Sequence, residues 1–324
     1  MSDRPTPSLS KHYPGESLQF FIQLSLDGLT IGSVYALVAL GYTLIYGVLK
    51  LLNFAHGDVF MVGSFIGYGV LQALGGASNP VVPVWLLLVL VTLAAMAGCA
   101  VLGVVIERFA YRPLRNAPRI APLISALGVS FFLSNSMQLE FGAQQFNYAS
   151  YNLSGGALYF HGFDLDHVHI PLLRIITIGS AFALMVVLWF LVNRTRTGKA
   201  MRATSFDREA AAMLGIDIDR VIVFTFILGS ALAGAAGVMF ALRVPTFAAV
   251  GFTTGLKGFT AAVIGGIGSI PGAMVGGILL GCAESYTAGY WTTAWSDLVV
   301  FSILIAFMIF RPQGLFGRVD IRKV

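Results

Sequence analysis

Apolar residues along this chain gather into long stretches separated by short polar or basic segments. Crossing a hydrocarbon layer of roughly 30 Å takes about 20 such residues. Eight stretches are candidates: Leu18–Leu49, Phe54–Leu74, Val81–Ile106, Ile120–Leu139, Pro171–Val192, Val221–Leu242, Gly258–Ala283 and Leu298–Phe310. The first is long and interrupted at Asp27-Gly28, so it reads either as an interfacial helix followed by a span or as one tilted span. The seventh is broken by the run Gly265 to Gly272, which carries four glycines and Pro271. That pattern predicts two short halves meeting inside the membrane, where unwound backbone must face protein or water. The fold class is therefore an all-α polytopic membrane protein with about eight transmembrane helices, or nine or ten if the first or seventh stretch crosses twice.

Between the fourth and fifth stretches, Leu158 to Ile170 alternates apolar and polar residues around Gly162. This predicts a small external β-hairpin. His161, Asp164, Asp166, His167 and His169 have the chemistry of metal ligands, but solvent-facing positions on a hairpin account for the same spacing.

The longest polar run, Asn193 to Arg220, lies between two spans and must sit in water. Within it, Asp207 and Glu209 place negative charge in the first turn of a short helix, which the helix dipole favours. Phe206, Ala210, Met213 and Leu214 recur at helical spacing and form one apolar face. Gly215 stops the helix at the usual C-cap position. Nothing in the loop can bury that face. It either lies on lipid, with Arg194, Arg196, Lys199 and Arg202 on anionic headgroups, or docks to a cytoplasmic protein.

Composition agrees with a membrane protein. The 324 residues are 57% hydrophobic and 11% charged, against about 25% charged in soluble domains. The net charge of +5 resides in loops between spans, which is the footprint of membrane orientation rather than of nucleic-acid binding. Arg108, Arg112, Arg115 and Arg119, the 193–220 loop and the C-terminal Arg311, Arg318, Arg322 and Lys323 belong inside. Glu140 to Ile170, which has no Lys or Arg, belongs outside. The seventh stretch then starts and ends outside, as a re-entrant segment or two short passes. The expected organisation is a flexible tail at 1–17, a permease domain at 18–311 with an external segment at 140–170 and a cytoplasmic loop at 193–220, and a cytoplasmic tail at 312–324. Cys99 and Cys282 both lie in apolar stretches and build neither a disulfide framework nor a zinc site.

Polar residues inside spans are the remaining candidates. Asn53, His56 and Asp58 open the second stretch, either as pathway-lining groups or as a helix cap. Lys257 and Glu284 bracket the seventh stretch, and Asp27 is an alternative partner for Lys257. Gly265, Gly266 and Gly268 either touch substrate at a helix break or, with Gly272, Gly276, Gly277 and Gly281, allow close helix crossing. No HExxH or GxSxG motif occurs. Gly198-Lys199 mimics the end of a phosphate loop, but Asn193 and Ala200 stand where Gly and Ser or Thr are needed. The chain therefore has no means of hydrolysing ATP itself.

Several stretches together carry a family resemblance. Glu209-Ala210-Ala211 followed after three residues by Gly215 resembles the cytoplasmic EAA loop of ABC importer permeases. Gly32 to Gly47, Asn53-Phe-Ala-His-Gly-Asp58, Tyr111-Arg-Pro-Leu-Arg115, Thr197 to Ala203, Ala233 to Gly237, Gly258 to Gly277 and Arg311-Pro-Gln-Gly-Leu-Phe316 resemble the LivH-type branched-chain amino acid permeases of those importers. The likeness covers nearly everything after Leu18; the N-terminal tail and Tyr148 to His169 depart from it. It implies a bacterial inner-membrane subunit with a cytoplasmic C-terminus, beside a second permease, two cytoplasmic ATPases and an external solute-binding protein. It further implies leucine, isoleucine and valine as substrates, with urea, short amides or other amino acids as the alternative. ATP and Mg²⁺ would be bound by the ATPases, with no cofactor on this chain. Asp207, Glu209, Ala210, Ala211 and Gly215, with Phe206, Met213 and Leu214, would form the coupling element. A stand-alone carrier or channel is the rival class, marked by transport without ATP.

Overall fold

The computed structural model describes residues 14–76, 80–115, 117–118, 120–148, 162–165 and 168–317. Every predicted stretch is helical. α1 spans Pro14–Leu49, α2 His56–Ala73, α3 Val84–Ile106, α4 Ile120–Phe141, α5 Leu172–Arg194, α6 Arg196–Phe206, α7 Arg208–Met213, α8 Ile218–Ala241, α9 Val250–Gly265, α10 Ile270–Tyr290 and α11 Ser296–Phe310. A π turn at Glu107–Tyr111 and a 3-10 turn at Arg112–Leu114 continue α3. Among the described residues, six helices are long and apolar enough to cross a membrane. The chain is thus a polytopic, predominantly helical membrane protein.

Asp27-Gly28 does not interrupt α1, which is one continuous helix of 36 residues. At 1.5 Å per residue it is about 54 Å long. It forms the axis of the bundle together with α8. In their spanning stretches 89% and 72% of residues are buried, against 17% in α4 and 11% for the stretch containing α11. The packing chemistry is that of small residues. Gly28, Gly32 and Ala36 form a stripe on α1 that meets Cys282, Ile278, Gly281 and Gly277 on antiparallel α10. A Cβ at Gly32 would stand 2.8 Å from the Ile278 backbone, so a side chain there would separate the helices. α8 uses the same device: Gly234 abuts Ala95 and Cys99 of α3 and Gly63 of α2.

The seventh stretch departs from expectation. It is not two half-helices meeting at depth but two helices, α9 and α10, joined by a tight turn at 266–269. Gly266 (φ +99°) and Gly268 (φ +96°) take conformations that L side chains rarely adopt. Ser269 caps α10 by accepting from Gly272 N–H, with Pro271 in the first turn. The segment after α11 closes over this turn, since Leu315 N–H donates to Ile264 C=O at 2.8 Å and Phe316 N–H to Gly265 C=O at 3.0 Å. The break therefore lies at the C-terminal end of α11.

The segment expected outside differs in two respects. Gly162–Leu165 and Val168–Pro171 pair as an antiparallel two-stranded ladder, β1 and β2, with Leu165 opposite Val168. The reversal thus falls between those residues rather than around Gly162. Further upstream, the segment folds back onto the bundle: Phe146 exchanges backbone hydrogen bonds with Thr246, and buried Tyr148 donates to Ser64 C=O. His161, Asp166 and His167 lie outside the described residues. Among the described residues no group of three His, Cys, Asp or Glu could hold a metal.

Candidate functional site

After α1 the chain reverses at Lys50, whose φ is +56°, and α2 begins in a wholly buried setting. Asn53 is 2% exposed, and its Oδ1 accepts from Ala55 N–H at 3.1 Å and from the Tyr111 hydroxyl at 3.2 Å. Asn53 thus does terminal-turn work just ahead of α2. His56 has no exposure; its ring lies 4.7 Å from that of Tyr42 and against Gly41, where any side chain would collide with it. Asp58 is not a cap. Its carboxylate turns away from its own helix and accepts from Ser134 at 2.7 Å and from Ser130, both on α4. Gly57 fits against Gly251 and Gly255 of α9. The cluster therefore joins α1, α2, α4 and α9 through one buried acid held by hydroxyls.

A second polar region lies at the opposite end of α11 from the glycine turn. Lys257 Nζ sits 2.7 Å from Glu284 and 2.8 Å from Asp297 at the start of α11. The Tyr35 hydroxyl donates to the other Glu284 oxygen at 2.7 Å. Lys257 therefore pairs with Glu284, and Asp27 is not its partner: Asp27 pairs with Arg243 and, at 2.9 Å, with Arg174. Asp27, Arg243, Lys257, Glu284 and Asp297 line a cavity of about 440 Å³ whose walls also include Leu24, Ile31, Ser285 and Ser296. Buried Ser296 Oγ has no hydrogen-bond partner among the described residues.

The third region is the polar loop. Only Thr195 separates α5 from α6, and its hydroxyl accepts from Gly198 N–H at 3.1 Å. The expected single helix is in fact two. α6 ends at Phe206, Asp207 is extended (φ −152°), and its side chain caps the six-residue α7 by accepting from Ala210 N–H at 3.0 Å. Gly215, at φ +81°, ends the unit. Phe206, Met213 and Leu214 are 95%, 83% and 81% exposed, and Glu209 is exposed too. Ala210 is half-buried, and Ala211 is buried rather than presented outward. The buried alanine lets α7 lie close to the bundle while the three large apolar side chains face away from it.

Two comparisons bear on this chain. Residues 24–308 match the family described as branched-chain amino acid transport system / permease component. That match covers most of the chain. The chain belongs to this permease family. Its relatives include the high-affinity branched-chain amino acid transport system permease protein BraD of Pseudomonas aeruginosa, 40% identical over 309 residues (94% of this chain, 98% of that protein). LivH of Escherichia coli K12 is 39% identical over 310 residues, covering 95% of this chain and 99% of that protein. LivM of the same organism is 25% identical over 310 residues, 90% of this chain and 69% of that protein.

Within this permease, the sequence singled out Asn53, His56, Asp58, Lys257 and Glu284 as polar groups in or beside spans but not the groups that complete each cluster. Ser130 and Ser134 read as ordinary positions of an apolar span, although their i, i+4 spacing puts them on one face. Arg174 and Arg243 sit at span ends, where basic residues usually report orientation. Gly265, Gly266 and Gly268 do not join either polar cluster; they form the turn beneath the C-terminal segment.

Proposed function

We propose that this permease is the translocating subunit of an ATP-driven importer and carries leucine, isoleucine and valine across the bacterial inner membrane by alternating access. A second, LivM-like permease would complete the pathway. Two cytoplasmic ATPases would supply the energy, and an external solute-binding protein would deliver substrate. The family relationship supports the class. The exposed Phe206, Met213 and Leu214, held on a capped two-helix unit, are the observation that carries ATPase coupling.

In this reading α6 and α7 seat on the ATPase, and ATP-driven closure of the ATPases pushes on the permease through them. Coupling requires the unit to bind one ATPase state better than the other. Substrate enters by the cavity around Lys257, where charges of both signs stand beside Leu24 and Ile31. That mixture suits a zwitterion with an aliphatic side chain. The buried Asn53, His56 and Asp58 cluster forms the inner part of the pathway.

The test is Glu209→Lys on a tagged subunit. The variant should stay in the membrane, lose co-purification of the ATPase and lose ATP-dependent leucine uptake. Wild-type uptake by the variant would defeat the coupling assignment. Uptake by vesicles lacking ATP would move the chain to the carrier class, and urea outcompeting leucine would replace the substrate.

A further inference from the structure

The end of α1, the start of α4 and the α6–α7 unit enclose a second cavity of about 340 Å³. Its lining includes Lys50, Arg115, Arg208, Thr204, Leu51 and Pro122. Of its three cations, Arg115 is already paired with Glu107 and with Asp219, which Arg112 shares, so two remain without an acid among the described residues. Lys50 has no ion-pair partner among the described residues. Arg208 contacts backbone carbonyls rather than an acid; burial and then the charge of Arg115 lower its pKa from the ordinary arginine value. Two buried polar groups here lack a partner among the described residues: Thr204 Oγ1, on a residue 1% exposed, and Arg115 Nε. Cations crowded together with idle donors are costly unless an anion joins them.

The geometry points to an anionic phospholipid as that ligand, its phosphodiester held by Lys50, Arg208 and Thr204. A phosphate oxygen accepts from several donors at once, which the unpartnered Thr204 hydroxyl and Arg115 Nε provide. Apart from Ser205, the rest of the lining is apolar. Leu51, Ala117 and Pro122 on the cavity wall offer an acyl chain apolar contact. A soluble anion would not use that apolar border. The site lies among basic segments that belong in the cytoplasm, facing the leaflet where anionic lipids attract such groups. Nothing here depends on which solute is transported.

The experiment uses the purified transporter with its partner subunits, in detergent, read by native mass spectrometry with added phosphatidylglycerol or phosphatidylcholine. Phosphatidylglycerol should be retained in preference. Lys50→Gln should weaken retention about fivefold, the worth of one basic residue at an anionic surface. Thr204→Val should also weaken it without lowering thermal stability, because the hydroxyl it removes has no protein partner. Equal retention of the two lipids, or indifference to both substitutions, would overturn the proposal. So would displacement by inorganic phosphate, which would assign the site to a soluble anion. Retention by the isolated chain but not by the complex would also overturn it and give the cavity to an acidic group of the ATPase.

Discussion

The Arg208 guanidinium lies 2.6 Å from the backbone carbonyl of Leu49 and 3.1 Å from that of Val48, so the first residue of α7 caps the last turn of α1. A cation at a helix C-terminus satisfies carbonyls that the helix leaves free and complements its dipole. Here it also ties the exposed loop to the most buried helix of the bundle. Motion imposed on α7 therefore reaches the axis directly.

Arg208→Gln should break this link while leaving the apolar face of Phe206, Met213 and Leu214 intact. The ATPase should still co-purify and hydrolyse ATP, and uptake per ATP should fall at least severalfold. Measuring transport and hydrolysis in the same proteoliposomes checks this. Uptake and hydrolysis falling in parallel would show that Arg208 serves assembly rather than transmission.

The glycine stripe of α1 makes a sharper structural prediction. Gly32→Val would drive a branched side chain into the Ile278 backbone, and overpacking of this kind costs about 1–3 kcal/mol or more. Gly179→Ala is the control, because a Cβ there meets nothing within 4 Å. Thermal unfolding in detergent should show a lowered midpoint for the first and little change for the second.

Asp58 and its two serines should behave as one unit. Ser134→Ala should cost about 1–2 kcal/mol in the wild-type background, between typical interhelical and charged hydrogen bonds. In an Asp58→Leu background the same change should cost almost nothing, because the bond is already gone. Additive effects in this double-mutant cycle would mean that the 2.7 Å contact contributes no coupling.

The helices were legible because a membrane-spanning stretch must be uniformly apolar, and a run such as Val84–Ile106 offers no other reading. Asp58 stood out for the same reason, as a charge where charge is expensive. Its partners did not, because a serine in a span is unremarkable until another helix brings it close. The glycine break was visible, but its depth was not: periodicity cannot tell a kink at mid-membrane from a hairpin turn. Only the Leu315–Ile264 and Phe316–Gly265 hydrogen bonds, contributed by residues about 50 positions further along, separate the two. The division of the polar loop at Asp207 was likewise hidden. Asp is a good cap, yet Asp207 was placed within the first turn of the helix rather than at its N-cap, with Phe206 on the wrong side of it.

Lys257 gives the last prediction. It holds two acids from different helices, Glu284 of α10 and Asp297 of α11, and it is 13% exposed while Glu284 is 14% exposed. Removing one partner of such a pair leaves an uncompensated charge, typically at a cost of about 3–5 kcal/mol when fully buried. The cavity beside it admits water, so Lys257→Met should fall below that range. The exchange Lys257→Glu with Glu284→Lys restores the attraction to Glu284's position but leaves Asp297 facing an acid instead of an ammonium. It should therefore recover only part of the stability. Adding Asp297→Asn removes that repulsion and should recover more. If the double exchange alone is fully stable, Asp297, at 62% exposure, is a solvated bystander and the closure of this end rests on Glu284 alone.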